Sequence, residues 1–236
     1  MNDLYTIKVN CPHCGKAFET FKVRYRRSVP YKIDSDFCPY YKEGDSNPHF
    51  YYAKVCPDCG FAFTDEFSEN FPLGTKELIN AKITAGWRKK EFGQARDVEK
   101  AIESLKLAIY SATLKKEKHS VLGGLCLRLA WIYRTANRQE SQEEEERFLK
   151  LALQEYEEAY LHSDFKGTSL SELNVLFLIG ELSRRLGQFS KAISYFSKIA
   201  EHPRRYEEAK ILDRARKQWK ITAEQNREQR EHDSKA

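Results

Sequence analysis

The sequence predicts a mainly α-helical protein with a small β-structured, metal-binding part at its N-terminus. Two observations lead to this fold class. The motif Cys-Pro-x-Cys-Gly occurs at residues 11–15 and again at residues 56–60. Apolar residues alternate in the first part of the chain, as in strands, and from about residue 73 they recur with the 3.6-residue period of helices. We therefore expect a metal-binding domain over residues 1–72 and a helical domain over residues 73–236.

The two cysteine motifs are predicted to form one metal site. Two thiolates separated by two residues can bind a single ion from one tight turn, and the glycine that follows allows the positive φ of that turn. Four thiolates complete the tetrahedral shell of a structural zinc ion and leave no position for a substrate. The sequence thus predicts one structural Zn²⁺ bound by Cys11, Cys14, Cys56 and Cys59.

The residues around the motifs indicate strands. Phe21, Val23 and Tyr25 alternate with basic residues, which predicts a half-buried strand after the first motif. A second strand over about residues 50–55 is predicted to lead into Cys56. The order strand, cysteine pair, strand is typical of a zinc ribbon.

The loop between the two motifs is long for such a site. Residues 15–55 separate the cysteine pairs, against about 15–20 residues in a compact ribbon. The loop contains Cys38 and His49, which are alternative metal ligands. We favour a buried apolar position for Cys38 and an ordinary loop position for His49, because the two motifs already supply four ligands.

The helical part shows a recurring pattern of small and aromatic residues. Gly180 is followed by Ala192, Phe196 and a closing Pro203, which resembles a tetratricopeptide repeat of two helices. Two weaker copies are predicted from Gly86, Ala101, Ala108, Ala130, Ala152 and Tyr156. Three helix pairs and a charged helix from about residue 206 onward predict a tetratricopeptide-like antiparallel helix-pair solenoid with a C-terminal cap.

These features together resemble a bacterial family that is catalogued as domain of unknown function 2225. The resemblance rests on the two cysteine motifs, a Cys-Pro-x-Tyr element at Cys38, an Asn-Pro-x-Phe element at Asn47 and the helical part that follows. It implies the same two-part architecture and a bacterial, cytosolic origin. It implies no catalytic residues, because the family has none that can be transferred to this chain.

Composition and the motifs present limit the functions that we expect of this chain. The chain has 32% charged residues, a net charge of +5, and no apolar run long enough to span a bilayer. Because it also lacks a secretory leader pattern and pairs its cysteines at metal-ligand spacing, we expect a cytoplasmic protein without a membrane partner. The common phosphate-binding, nucleophile and metalloprotease motifs are missing, so we expect no enzymatic activity.

Binding of a protein or peptide partner is the favoured function. Stacked helix pairs present a concave surface that is lined by the first helix of each pair. Polar residues of those helices, which we expect to point outward, are the predicted partner contacts: Arg128, Arg134, Asn174, Glu181 and Arg184.

Two alternative functions stay open at this point. A nucleic-acid-binding zinc ribbon would use the basic residues Arg24, Arg26, Arg27, Arg204, Arg205, Lys210, Arg214, Arg216 and Lys217. A rubredoxin-like redox protein would bind iron instead of zinc at the same four cysteines.

Overall fold

The structure is a computed structural model that describes residues 3–24, 26–136 and 141–233. Its strands are β1 (Leu4–Asn10), β2 (Ala17–Val23), β3 (Lys32–Ile33), β4 (Pro39–Tyr40), β5 (Lys54–Val55) and β6 (Ala62–Phe63). Its helices are α1 (Thr75–Lys82), α2 (Val98–Lys115), α3 (His119–Ala136), α4 (Ser141–His162), α5 (Glu172–Arg185), α6 (Phe189–Glu201) and α7 (Ala209–Asp233). The predicted fold class, mainly α with a small β part at the N-terminus, is confirmed.

Each cysteine motif lies in the turn of an antiparallel hairpin. β1 pairs with β2 from Leu4 opposite Val23 to Asn10 opposite Ala17, so residues 11–16 form the connection. β5 pairs with β6, with Val55 opposite Ala62, so residues 56–61 form the second connection. Each motif therefore occupies the same position in its hairpin, between the two paired strands.

The predicted strand boundaries need correction. The strand after the first motif ends at Val23, its buried residues include Phe18 and Thr20, and Tyr25 lies outside the described residues. In place of a strand over residues 50–55, a 3₁₀ turn covers Pro48–Tyr51 and the strand itself is only Lys54–Val55. Pro48 and its capping neighbour Asn47 favour such a turn, because proline fixes φ and the asparagine side chain accepts a hydrogen bond from His49 N.

The first predicted helix pair also needs correction. α1 is short, and Gly86, which was expected on the first helix of a pair, belongs to a 3₁₀ turn at Thr84–Gly86. Ile79 and Ile83 pack in the same apolar cluster as Cys11 and Cys56. This short helix therefore packs against the cysteine motifs as well as against α2.

From α2 onward, each helix packs against the next along the chain. A glycine lies beneath an aromatic ring in two of these contacts: Gly180 of α5 faces Phe196 of α6, and Gly123 of α3 faces Tyr156 of α4. In the α3–α4 contact this glycine lies seven residues before Ala130, the small residue of the predicted repeat pattern. The tetratricopeptide-like helix pairing therefore stays a prediction, and the glycine contact recurs in a different register.

Local side chains explain one helix start and one close contact between helices. Ser171 caps α5, because its Oγ accepts from Asn174 N at 3.1 Å. Gly123 and Gly124 lie inside α3, and the missing side chain of Gly123 lets the Tyr156 ring of α4 pack close to the helix.

The N-terminal part and the helices share a hydrophobic core. The main buried cluster includes Cys38, Ala53, Val55 and Ala62 together with residues of α2, α3, α4 and α5. The domain boundary at residues 72 and 73 stays a prediction, and these contacts cross it. Within the described ranges, no helix is both long and apolar enough to span a membrane.

Candidate metal centre and helical cleft

The four cysteines of the two motifs come together as predicted. Their sulfur atoms all lie within 4.8 Å of one another. Cys11 Sγ is 3.7 Å from Cys59 Sγ, and Cys14 Sγ is 3.7 Å from Cys56 Sγ, so each close pair joins the two motifs. The residues described contain no other group of three or more such ligands.

The local backbone explains this convergence. Gly15 N donates to Cys11 O at 2.8 Å and Gly60 N donates to Cys56 O at 3.0 Å. Both glycines adopt positive φ, +76° and +74°, a conformation that costs glycine little. Each motif is thus the same tight turn, and each turn presents its two sulfurs on one side.

The four cysteine sulfurs fit a metal ion that prefers tetrahedral coordination by thiolates. Three of the four cysteines are buried, and Cys14 is exposed. The hydrogen bond between Cys11 and Cys59 lowers the pKa of Cys11 to about 5 and raises that of Cys59. A cation would neutralise the charge that four thiolates concentrate here, and zinc or iron would satisfy the geometry. Four protein ligands leave no open position, which is typical of a structural site.

The turn after α1 closes over the second motif. Trp87 Nε1 donates to Pro57 O at 2.9 Å, and Thr84 Oγ1 donates to Cys59 O at 3.1 Å. A Cβ on Gly60 would collide with the Trp87 ring. Position 60 therefore requires glycine for two independent reasons, its positive φ and its contact with the Trp87 ring.

A histidine connects the first motif to α1. His13 Nε2 lies 2.9 Å from Asn80 Oδ1, and the His13 ring packs with its centroid 5.5 Å from that of Phe61. Ile79 of α1 belongs to the same apolar cluster as Cys11 and Phe61. The first motif, α1 and Phe61 therefore form one packed unit.

Cys38 and His49 lie outside the cysteine group. Cys38 is fully buried in the main core, where burial raises its pKa to about 12 and keeps it a thiol. The His49 ring packs edge-on against Trp131 at 5.2 Å, and burial together with the nearby Arg128 charge lowers its pKa to about 3. Cys38 is buried, as the sequence favoured, whereas His49 belongs to the 3₁₀ turn and packs against Trp131 instead of lying in an ordinary loop. Cys126 is likewise buried in the core.

Three of the five predicted partner contacts, Arg134, Glu181 and Arg184, have side chains that are buried or nearly so. Arg134 pairs with Asp36, and Glu181 accepts hydrogen bonds from Arg184 and from Ser35 Oγ. Glu181 is 0% exposed. The expectation that these three side chains point outward is therefore wrong, because the long loop between the cysteine motifs covers Arg134 and Glu181, and the Glu181 carboxylate in turn binds Arg184.

The segment Asp34–Phe37 of that loop lies along α3 and α5. Arg185 Nη2 contacts Asp34 Oδ2 at 3.0 Å, and Phe37 packs against Phe177 with ring centroids 5.4 Å apart. Sequence reasoning missed this segment and missed Arg185. The sequence does contain acidic residues beside Cys38 and two adjacent arginines at the end of α5. These groups lie about 150 residues apart, however, and no local pattern predicts that they form ion pairs.

The other two predicted contacts, Arg128 and Asn174, line a cleft beside this segment. The helical cleft has a volume of about 670 Å³ and lies between the stretch after the second motif, α3, the α4–α5 connection and α5. Leu127, Trp131 and Leu178 form an apolar wall. Both side chains also bond within the chain, because Arg128 Nη1 donates to Gly124 O at 2.9 Å and Asn174 Nδ2 donates to Glu208 Oε2 at 2.8 Å.

Some of the basic residues considered for nucleic acid are engaged within the chain. Arg24 stacks over the Tyr5 ring at 4.7 Å, and Arg214 stacks over the Phe37 ring at 4.9 Å. Arg204 lies 3.4 Å from a Glu172 oxygen. Each of these three arginines therefore already has a partner within the chain.

A mainly helical chain with a four-cysteine candidate metal centre is the class of protein that this fold and site define. Within it, the chain belongs to the family described as "Uncharacterized protein conserved in bacteria (DUF2225)", whose model matches residues 4–222. The resemblance inferred from the cysteine motifs is confirmed. No curated protein and no solved structure matches the chain.

Proposed function

We propose that this protein is a non-enzymatic protein-interaction module that binds a peptide segment of a cytoplasmic partner in the helical cleft. The observation that carries the proposal is the cleft itself, which combines an apolar wall with the polar side chains of Arg128 and Asn174. Pockets of several hundred Å³ with few polar groups are typical ligand sites. The chain's own segment Asp34–Phe37 already occupies the adjoining surface of α3 and α5.

In this proposal the cysteine site binds one structural Zn²⁺ and takes no part in chemistry. The zinc would fix the two hairpin turns, and α1 with Trp87 would transmit that order to the rest of the N-terminal part. The stretch that begins at Asp65, just after the second hairpin, forms one edge of the cleft. Metal binding would therefore maintain the shape of the cleft from a distance.

Two variants with a photo-crosslinking residue test the proposal. Ser169 is exposed and lines the cleft, whereas Ser190 is exposed on α6 outside it. A crosslinker at residue 169 should capture the same protein segments repeatedly in native cells, and a crosslinker at residue 190 should not. Equal capture at both positions, or capture of nucleic acid alone, would contradict the proposal.

A further inference from the structure

The floor of the cleft contains a polar cradle, which we define as Arg128, Glu66, Tyr156 and Ser120 around Gly124. From the point where a Cβ of Gly124 would stand, Arg128 Nη1 is 3.0 Å away, Tyr156 Oη 3.8 Å and Glu66 Oε2 4.0 Å. All five residues line the cleft. Because Gly124 has no side chain, Arg128 Nη1 can lie over this glycine and donate to Gly124 O at 2.9 Å.

Hydrogen-bonding capacity in the cradle is incompletely used. Ser120 is 3% exposed, and its Oγ has no hydrogen-bond partner in the part of the chain that the structure describes. Arg128 Nε is also buried without a partner there. Arg128 Nη2 lies 4.0 Å from Glu66 Oε1, beyond hydrogen-bond distance. Buried polar groups without partners are costly, so a ligand that satisfies them would gain affinity.

The cradle offers both donors and an acceptor. The donors are the guanidinium of Arg128 and the hydroxyls of Tyr156 and Ser120, and burial raises the pKa of Tyr156 so that its proton is retained. The acceptor is the carboxylate of Glu66. A ligand that fits must present an acceptor and a donor side by side, which an amide does. An anionic ligand would be attracted by Arg128 and Lys118 but repelled by Asp65, Glu66 and Glu117, the three carboxylates that line the cleft.

We propose that the cradle binds a neutral backbone amide of an extended peptide that carries a large apolar side chain. The peptide C=O accepts from the cradle donors, and its N–H donates to Glu66. The neighbouring side chain packs on Leu127, Trp131 and Leu178. Phe37, the last residue of the segment already bound along α3 and α5, also lines the cleft, so an extended peptide would continue that interface. This inference rests on the proposed function and names its ligand class.

A phage-displayed library of random octapeptides, screened against the full zinc-loaded chain, tests the inference. Selected peptides should share a large apolar residue without enrichment of acidic ones. Their affinity, measured by calorimetry on synthetic copies with capped ends, should change less than about twofold between low and high salt, because a neutral ligand is barely screened. Acidic peptides that bind more weakly as salt rises would overturn the inference.

Glycine variants test the cradle itself. Gly124→Ala places a methyl group among the polar groups and should lower affinity at least about tenfold, while the helix keeps a residue of higher propensity. Gly86→Ala is the matched control, since a Cβ there meets nothing within 4 Å. Circular dichroism and thermal unfolding confirm that both variants fold. Unchanged affinity in folded Gly124→Ala would overturn the inference.

Glu66 distinguishes an amide from a carboxylate. Glu66→Gln keeps an acceptor oxygen and should leave affinity within about threefold, whereas Glu66→Leu should lose about tenfold. If Glu66→Gln instead strengthens binding of acidic peptides, the amide assignment fails and the proposed peptide-binding function stands. If the library yields no peptide whose binding Ser169→Trp blocks, both fail.

Discussion

Arg134 of α3 donates two hydrogen bonds to Asp36, from Nη1 to Oδ1 at 2.9 Å and from Nη2 to Oδ2 at 2.8 Å. Trp131 Nε1 donates to the same carboxylate at 3.1 Å, and Asp36 is 0% exposed. This buried pair fastens the long loop between the cysteine motifs to the helices. It also explains why Arg134 is not available to a binding partner, since its guanidinium already pairs with carboxylates of its own chain.

Asp36→Ala should destabilise the protein by about 1.5–3 kcal/mol, because Arg134 loses two charged hydrogen bonds but keeps Glu145 and Asp34 as partners. Urea unfolding measures the change in the free energy of unfolding. Asp36→Leu combined with Arg134→Met should recover much of the loss by removing both charges. A single variant as stable as wild type would show that the pair contributes little.

Elemental analysis should find about one zinc per chain, as four thiolates require. Cys56→Ser should lose the metal and the order of the N-terminal part, because structural zinc contributes about 10 kcal/mol to the folding of small domains. Cys126→Ala is the matched control, since Cys126 is buried in the helical core and should keep full metal content. A red protein containing iron would favour the rubredoxin-like alternative instead.

Gly180→Ala should destabilise the α5–α6 contact by about 1–3 kcal/mol, because the new Cβ would lie 2.7 Å from Phe196 Cε1. Thermal unfolding measures the effect. Ala192→Trp, in the same buried cluster, should overpack the same helix pair by a similar amount. Unchanged melting in both variants would contradict this close helix packing.

His49 should make the protein acid-sensitive. The unfolded histidine titrates near pH 6.5, whereas burial lowers its pKa to about 3 in the fold. Between these values the unfolded chain binds one more proton, so the free energy of unfolding falls with falling pH by at most about 1.4 kcal/mol per unit. His49→Gln should therefore flatten the stability profile between about pH 6.5 and 4.5, measured with excess zinc. Parallel profiles for the two proteins would refute the assignment.

The cysteine site was predictable because its information is local. The Cys-Pro-x-Cys-Gly spacing fixes a turn that presents two sulfurs, and the glycine φ follows from the same five residues. Only the approach of the two turns to each other depends on tertiary structure. That approach was predictable too, because the two motifs together supply the four thiolates of one tetrahedral site. The mainly helical class was predictable for a similar reason, since periodicity is a property of each segment.

The partner contacts were harder to predict. From the sequence, Arg128, Arg134, Asn174, Glu181 and Arg184 are equivalent polar positions on helices. Periodicity identifies the apolar face of a helix, but it does not show whether a distant loop covers its polar face. The loop covers Arg134 and Glu181, the Glu181 carboxylate in turn binds Arg184, and Arg128 and Asn174 line the cleft.

By itself the sequence determined the four-cysteine cluster, the family and the mainly helical class, because neighbouring residues carry each of these signals. Tertiary structure alone decided that α1 supports the cysteine motifs, that Asp36 neutralises Arg134, and that Gly124 opens a polar cradle. Those outcomes depend on contacts between residues far apart in the chain, whose free energies arise from burial and charge pairing after the helices have packed.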